Sequence, residues 1–275
     1  MTDLWNDLLA CLELRALESP QAGADASVAA SYEGDNQKLS YHRLFGGQLL
    51  AQFVRAACLS HADKSVKSLH ALFPRAGRSD EPVRYDVTRH HEGGTFATLA
   101  ITARQQKGVI ATASVSMHTI EDGPDVQTAV EIPPVPEEAQ QVVLDLLPWD
   151  TRSLADLDAP QAAPPEFDLW MRTPAVDPEL APALTAYATD LTLIGTALRP
   201  VEGFSQQDAG TAFTSAVTSH SVWFHRPLRA DDWLLLRQHS PLLAGGRCFG
   251  RGDVLTGNGS LVASYAQEAL LRFTG

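Results

Sequence analysis

A chain of 275 residues, 44% of them hydrophobic, carries enough apolar material for one large domain or two ordinary ones with packed cores. Its net charge of −12 argues against nucleic acid or an anionic membrane as a general partner, because both demand a basic footprint. Three scattered cysteines without a CxxC spacing (Cys11, Cys58 and Cys248), a Met1–Leu4 opening with no basic leader, and no apolar run near the roughly 20 residues that span a bilayer lead to the expectation of a soluble cytoplasmic protein.

Taken in chain order, Leu4, Leu8, Leu9, Leu12 and Leu14 predict a short amphipathic helix within residues 4–17. Ser27 to Tyr32 reads as a strand. Phe45-Gly46-Gly47-Gln48 then opens a helix whose apolar stripe is Leu49, Leu50, Phe53, Val54, Ala57 and Cys58. Four β segments follow near 66–75, 82–90, 95–105 and 108–119, parted by turn residues such as Gly93-Gly94 and Lys107-Gly108. From 121 to 165 the chain turns acidic and proline-rich, as expected of a linker, with a short helix expected over 139–147. A strand over 167–171, a helix over 181–198 and four strands near 212–225, 232–240, 246–256 and 260–272 complete the prediction. The expected domains are therefore residues 1–120, a linker over 121–165, and residues 166–275. Each half reads as a strand, a central helix and an antiparallel meander, with the helix packed on one face of the sheet.

The two halves repeat. Ser68, Phe73 and Arg75 recur as Ser219, Phe224 and Arg226 at an offset of 151, and Arg78 and Asp80 recur as Arg229 and Asp231. Gly93-Gly94 recurs as Gly245-Gly246 at an offset of 152. At that second offset one polar residue breaks an apolar match: Gln267 stands where the first copy has Val115. A duplicated frame that acquires a polar side chain in one copy marks that copy as the place for chemistry.

Asp190 falls within or at the edge of the apolar stripe formed by Leu184, Tyr187, Leu191, Ile194 and Leu198. A carboxylate there costs free energy unless paired or beside a cavity. It reads either as a general base or as a stripe-edge Asp that reaches solvent. Gln267, on the last strand, either orients a reacting group or is satisfied by backbone at a sheet edge. In Ala216-Val217-Thr218-Ser219-His220-Ser221, strict alternation puts Val217, Ser219 and Ser221 on one face and Thr218 and His220 on the other. Gly46 and Gly47 offer helix N-terminal amides to an anion, although tight packing explains them as well; Arg75 and Arg226 offer charge to a phosphate, although loop arginines are mostly just solvated; and His220 is a further candidate substrate contact. His90-His91-Glu92 alternate across a strand and so point to opposite faces, which argues against a shared metal site. No cofactor fingerprint or zinc spacing occurs, so neither metal nor cofactor is expected.

Together these segments resemble the acyl-CoA thioesterase II family, the TesB-like double hotdog enzymes. The resemblance is carried by Phe45-Gly46-Gly47-Gln48 with Ala51-Gln52, by Ser68-Leu69-His70 through Gly77, by Tyr187-Ala188-Thr189-Asp190-Leu191, by His220-Ser221-Val222-Trp223-Phe224-His225-Arg226-Pro227 and by Ala266-Gln267-Glu268. It implies an α+β double hotdog, two tandem repeats each wrapping an antiparallel sheet around a central helix. It also implies hydrolysis of medium- or long-chain fatty acyl-CoA and association into a homo-oligomer. In that family an Asp, a Thr or Ser, and a Gln hold the attacking water; Asp190 and Gln267 match the first and last. The hydroxyl position falls on Val217, leaving Thr218, if a bulge turns it round, or Ser219 as substitutes. The competing expectations are an acyl-CoA or acyl-carrier binding protein with decayed catalysis, favoured by Val217, and a hotdog enoyl-thioester hydratase, which would pair an acid with a His.

Overall fold

The computed structural model describes residues 4–18, 27–39, 43–128 and 130–274. Met1–Asp3, on which the expectation of no leader partly rests, lie outside the described residues. The chain divides into two compact units, Met1–Asp125 with Pro182–Tyr187, and Val126–Ala181 with Ala188–Gly275. Among the described residues no helix is long and apolar enough to cross a membrane.

In the first unit, α1 (Leu4–Cys11) gives way to a two-residue strand, β1 (Arg15–Ala16), which pairs with β2 (Val28–Gly34). Helix α2 (Gly46–Ser60) buries the predicted stripe apart from Cys58, which is half-buried, and lies across β2 and the strands that follow it, β3 (Ser65–Leu72), β4 (Val83–Glu92), β5 (Phe96–Gln105) and β6 (Gly108–His118). The sheet runs β1-β2-β4-β5-β6-β3, antiparallel throughout. This order corrects the expected four-stranded meander. Only β4, β5 and β6 are joined as successive neighbours; β3 leaves the helix and pairs with β6 instead, extending the sheet along the helix. Local turn residues specify a reversal but not which edge the strand joins.

Two glutamines tie α2 to the loop after β2. Gln52 Nε2 donates to the carbonyls of Cys11 and Asp35 (2.7 and 2.9 Å), while its Oε1 accepts from Tyr85 Oη at 2.6 Å. Gln48 Oε1 accepts from the Gln37 amide at 3.0 Å, and Gln37 Oε1 from Tyr187 Oη at 2.8 Å. Buried amides are tolerable because these backbone groups satisfy them. A Cβ at Gly34 would strike the Gln52 amide, so the close approach requires glycine there.

In the second unit the linker is part of the fold. The helix expected over 139–147 is absent; a single 3₁₀ turn spans Glu138–Gln140, and the Val142 amide instead bonds the Thr151 carbonyl. Strand β7 (Asp150–Arg152) joins the edge of β8 (Glu166–Arg172), and Leu147 and Trp149 are buried. Pro136 and Pro148 bracket the segment and favour extended chain over helix. Two helices follow, α3 (Ala181–Thr189), of which Pro182–Tyr187 belong to the first unit, and α4 (Leu193–Leu198), then β9 (Phe213–Phe224), β10 (Leu234–Ala244), β11 (Arg247–Thr256) and β12 (Leu261–Phe273). Their sheet runs β9-β12-β11-β10-β8-β7.

Strand order therefore repeats: β2-β4-β5-β6-β3 in one unit and β8-β10-β11-β12-β9 in the other. The irregularities repeat as well. On β3, Val66 faces Met117 and Ser68 faces Ser116, so Lys67 is an extra residue. On β9, Val217 faces Ala269 and Ser219 faces Glu268, so Thr218 is extra. Lys67 and Thr218 stand at the offset of 151 that relates the two copies.

Candidate active site

The site begins at a break in the predicted helix over 181–198. Helix α3 ends at Thr189, Asp190 is its C-cap, and α4 starts afresh at Leu193. At the break a buried set of hydrogen bonds anchors Thr192, the N-cap of α4, to Gln238 of β10. Gln238 Nε2 donates to Thr192 Oγ1 at 2.5 Å, and Thr196 Oγ1 donates to the Thr192 carbonyl at 2.9 Å and to Gln238 Oε1 at 3.3 Å. All three side chains are buried. Leu193, the first residue of α4, lies over Gly250, where a Cβ would come within 2.7 Å of it. Gly250 is the β11 residue paired with Gln267. Seating Leu193 there holds the turn carrying Asp190 beside Gln267.

Asp190 is only 4% exposed and Gln267 only 2%. One imidazole reaches both. His220 Nδ1 lies 3.0 Å from Gln267 Oε1 and 3.7 Å from Asp190 Oδ1, and His220 Nε2 lies 3.0 Å from Thr189 Oγ1. Burial pushes the His220 pKa down to about 4, against the smaller upward pull of its Gln267 bond, so the ring is neutral at pH 7. A neutral ring has one donor and one acceptor nitrogen. With the proton on Nδ1, the ring would donate to the Gln267 carbonyl oxygen and accept at Nε2 from the Thr189 hydroxyl. The Gln267 Nε2 group is then left as a buried donor with no hydrogen-bond partner among the described residues. Tyr265 closes one side, its ring stacked on His220 with centroids 6.1 Å apart.

The bulge decides which other residues join them. Directly paired residues share a face, so Val217 (opposite Ala269) lies on the same side as His220 (opposite Gln267). Ser219 and Ser221, paired with Glu268 and Ala266, lie on the other side. The alternation expected across 217–221 is thereby corrected: the extra residue reverses the phase, and Ser219 is turned away from Gln267. The anticipated bulge does occur at Thr218, yet its hydroxyl donates to the Glu268 carbonyl at 3.0 Å, and no described bond joins it to Asp190, His220 or Gln267. Val217, where the resemblance would place a hydroxyl, lies on the same face of β9 as His220.

The remaining predicted residues serve elsewhere. Gly47 sits in the first turn of α2, where a Cβ would strike both the Phe45 ring and the Tyr187 carbonyl, a packing reason for glycine. Gly46 begins that helix, which has no side-chain N-cap bond. Arg75 donates to the Lys107 carbonyl. Arg226 donates to Gln127 Oε1 at 2.9 Å and to the Leu261 carbonyl at 2.6 Å. Leu261 is six residues from Gln267 on β12, or about 20 Å along the strand. His220, expected to touch substrate, is 1% exposed with both ring nitrogens engaged. An acid beside an imidazole is the pairing a hydratase would use, but this imidazole keeps no free nitrogen for a substrate. Thr189, Thr192 and Gln238 were not singled out by sequence, since their importance depends on the helix break.

Comparison with known proteins agrees with this architecture. The model of the acyl-CoA thioesterase N-terminal domain matches residues 37–118, and that of the acyl-CoA thioesterase C-terminal domain matches residues 120–271. Acyl-CoA thioesterase 2 of Haemophilus influenzae is 29% identical over 299 residues, covering 100% of both chains. Acyl-coenzyme A thioesterase 8 of Mus musculus is 30% identical over 266 residues, covering 84% of this chain and 80% of its own. Among solved structures, the acyl-CoA thioesterase II TesB2 from Mycobacterium marinum superposes with a TM-score of 0.76 at 30% identity, covering 98% of each chain. A dehydratase domain from the CurJ module of curacin polyketide synthase, at 12% identity and a TM-score of 0.57, shares the fold alone. With two family models spanning both repeats and full-length relatives on either side, the chain belongs to the TesB-like acyl-CoA thioesterase II family of double hotdog thioester hydrolases.

Proposed function

We propose that this chain hydrolyses medium- and long-chain fatty acyl-CoA to free fatty acid and CoA, with Asp190 as general base and Gln267 holding the attacking water. The observation that carries the reading is the buried junction at which one imidazole nitrogen lies 3.0 Å from the Gln267 amide oxygen and 3.7 Å from the Asp190 carboxylate. Asp190 takes a proton from the water as its oxygen attacks the acyl carbon. Backbone N–H groups stabilise the resulting oxyanion, and its collapse expels the CoA thiolate, a good leaving group. The scheme requires neither metal nor cofactor. The test is thiol release from acyl-CoAs of graded chain length. Asp190→Asn should lower kcat by about 100-fold or more, and an unchanged turnover would sink the mechanism.

A second reading has its own supporting observation. Val217 faces the site where the family has a hydroxyl, which favours an acyl-CoA or acyl-carrier binding protein with weakened catalysis. Tight acyl-CoA binding without thiol release would select it. Free acid released from each bound acyl-CoA selects the enzyme. We also propose that the units act as an intramolecular pair that assembles into a homo-oligomer, measurable by light scattering, and that the protein is cytoplasmic.

A further inference from the structure

We propose that His220 is a positioning residue that sets which end of the Gln267 amide faces the reacting water. The inference rests on the reading of Asp190 and Gln267 given above. An amide has a donor end and an acceptor end of nearly the same shape, so strand register alone does not choose between its two flips. Here the choice is made from behind. The Thr189 hydroxyl lies 3.0 Å from Nε2, and the Asp190 carboxylate lies 3.7 Å from Nδ1. Negative charge beside Nδ1 favours a proton there over a lone pair, and the Thr189 hydroxyl supplies the hydrogen that a bare Nε2 accepts. The Nδ1–H then requires an acceptor, which is Gln267 Oε1 at 3.0 Å. Gln267 Nε2 is consequently the end left without a partner.

The chemistry gains from that orientation. A water that accepts from Nε2–H is held by its oxygen, with both O–H bonds free and one directed to Asp190. The opposite flip would bind a water hydrogen and compete with the base. Because Val217 brings no hydroxyl to this face, Gln267 is the side-chain donor on which the water depends. The duplication supplies a separate argument. At the positions of His220 and Gln267 the first copy has Leu69 and Val115, which are directly paired and buried. The imidazole and the amide therefore occur together in one copy and are both absent from the other.

The experiment compares kcat and KM for acyl-CoA hydrolysis in His220→Asn, His220→Phe, Thr189→Val and Gln267→Ala, with folding checked by circular dichroism. Asn places an N–H donor where Nδ1 stands, so His220→Asn should keep kcat within about 3-fold. His220→Phe should lose about 10- to 100-fold in kcat with little change in KM. Thr189→Val frees the ring to adopt the other tautomer and should give an intermediate loss of kcat. Parental kcat in folded His220→Phe, or His220→Asn as impaired as His220→Phe, would overturn the proposal. If the His220 variants do not fold, nitrogen NMR of the parent enzyme decides: a protonated Nδ1 and bare Nε2 support it, and the reverse tautomer refutes it. Parental kcat in Gln267→Ala would overturn the role of Gln267 and this inference with it. A loss in Gln267→Ala without one in His220→Phe refutes positioning alone.

Discussion

On the proposed mechanism, what residue 217 lacks is chemical rather than spatial. Val217 has the branched shape of threonine and, through the bulge, faces the same side as Gln267. Val217→Thr should raise kcat for acyl-CoA hydrolysis by about 10-fold through one added hydrogen bond to the water, and a lowered kcat would show that the site is not short of a hydroxyl. Burial of His220 has a consequence for stability. Its pKa is about 4 in the folded chain against 6.5 for the ordinary group, chiefly from desolvation. Because the folded value is depressed, this contribution is fully present above pH 6.5 and is lost as pH falls from there through 4. Over that window it amounts to about 3 kcal/mol. Urea unfolding measured across the window should show the decline in the parent and a shallower one in His220→Asn. At this scale sequence was partly informative: comparing Val115 with Gln267 exposed the amide, but nothing in the linear chain revealed that His220 stands behind it.

At the scale of elements, the turn between α3 and α4 is held by Gln238 more than by helix geometry. Gln238→Leu removes a donor to Thr192 and an acceptor for Thr196, all buried, and should cost about 1–3 kcal/mol of stability. It should also reduce kcat more than it raises KM, because the turn carrying Asp190 loses its anchor; an unchanged kcat in a folded variant would show that Asp190 is held by other means. Of the expected stripe, Leu184, Tyr187 and Leu198 are buried while Leu191 and Ile194 are only half-buried; the break was not legible, because hydrophobic period does not record a bond from a strand some 46 residues away. The strand periods were legible too, to within a few residues at their ends, except for the short β1 and β7, which fall in the expected first helix and linker. Pairing of β3 with β6 was not, since turns declare local reversals only. Alternation failed at Thr218 for a related reason: a bulge changes the phase of a strand while leaving its composition ordinary.

Across the whole molecule the two copies share strand order and an aligned irregularity but divide their duties. Arg78–Asp80 and Arg229–Asp231 form matching ion pairs at 2.5 and 2.6 Å in the two copies, so even a surface turn has been kept. The interior pair has not: Leu69 with Val115 in one unit, His220 with Gln267 in the other. Leu69→Ala should destabilise the protein by about 2–5 kcal/mol through a cavity. Hydrolysis per folded molecule should stay at the parental level, measured below the unfolding transition; a fall in kcat there would tie that unit directly to the chemistry. The duplication was readable because offsets of 151 and 152 preserve Ser, Arg, Asp and Gly landmarks.

The kink shared by Lys67 and Thr218 carries a historical implication. Two chance insertions would rarely strike the same rung of both ladders, whereas copying a segment that already contained one reproduces it. Copying of a segment that already held the bulge accounts for both, and in each copy the bulge sets which way Val66 and Val217 face. What diverged afterwards was the furnishing of two rooms built to one plan.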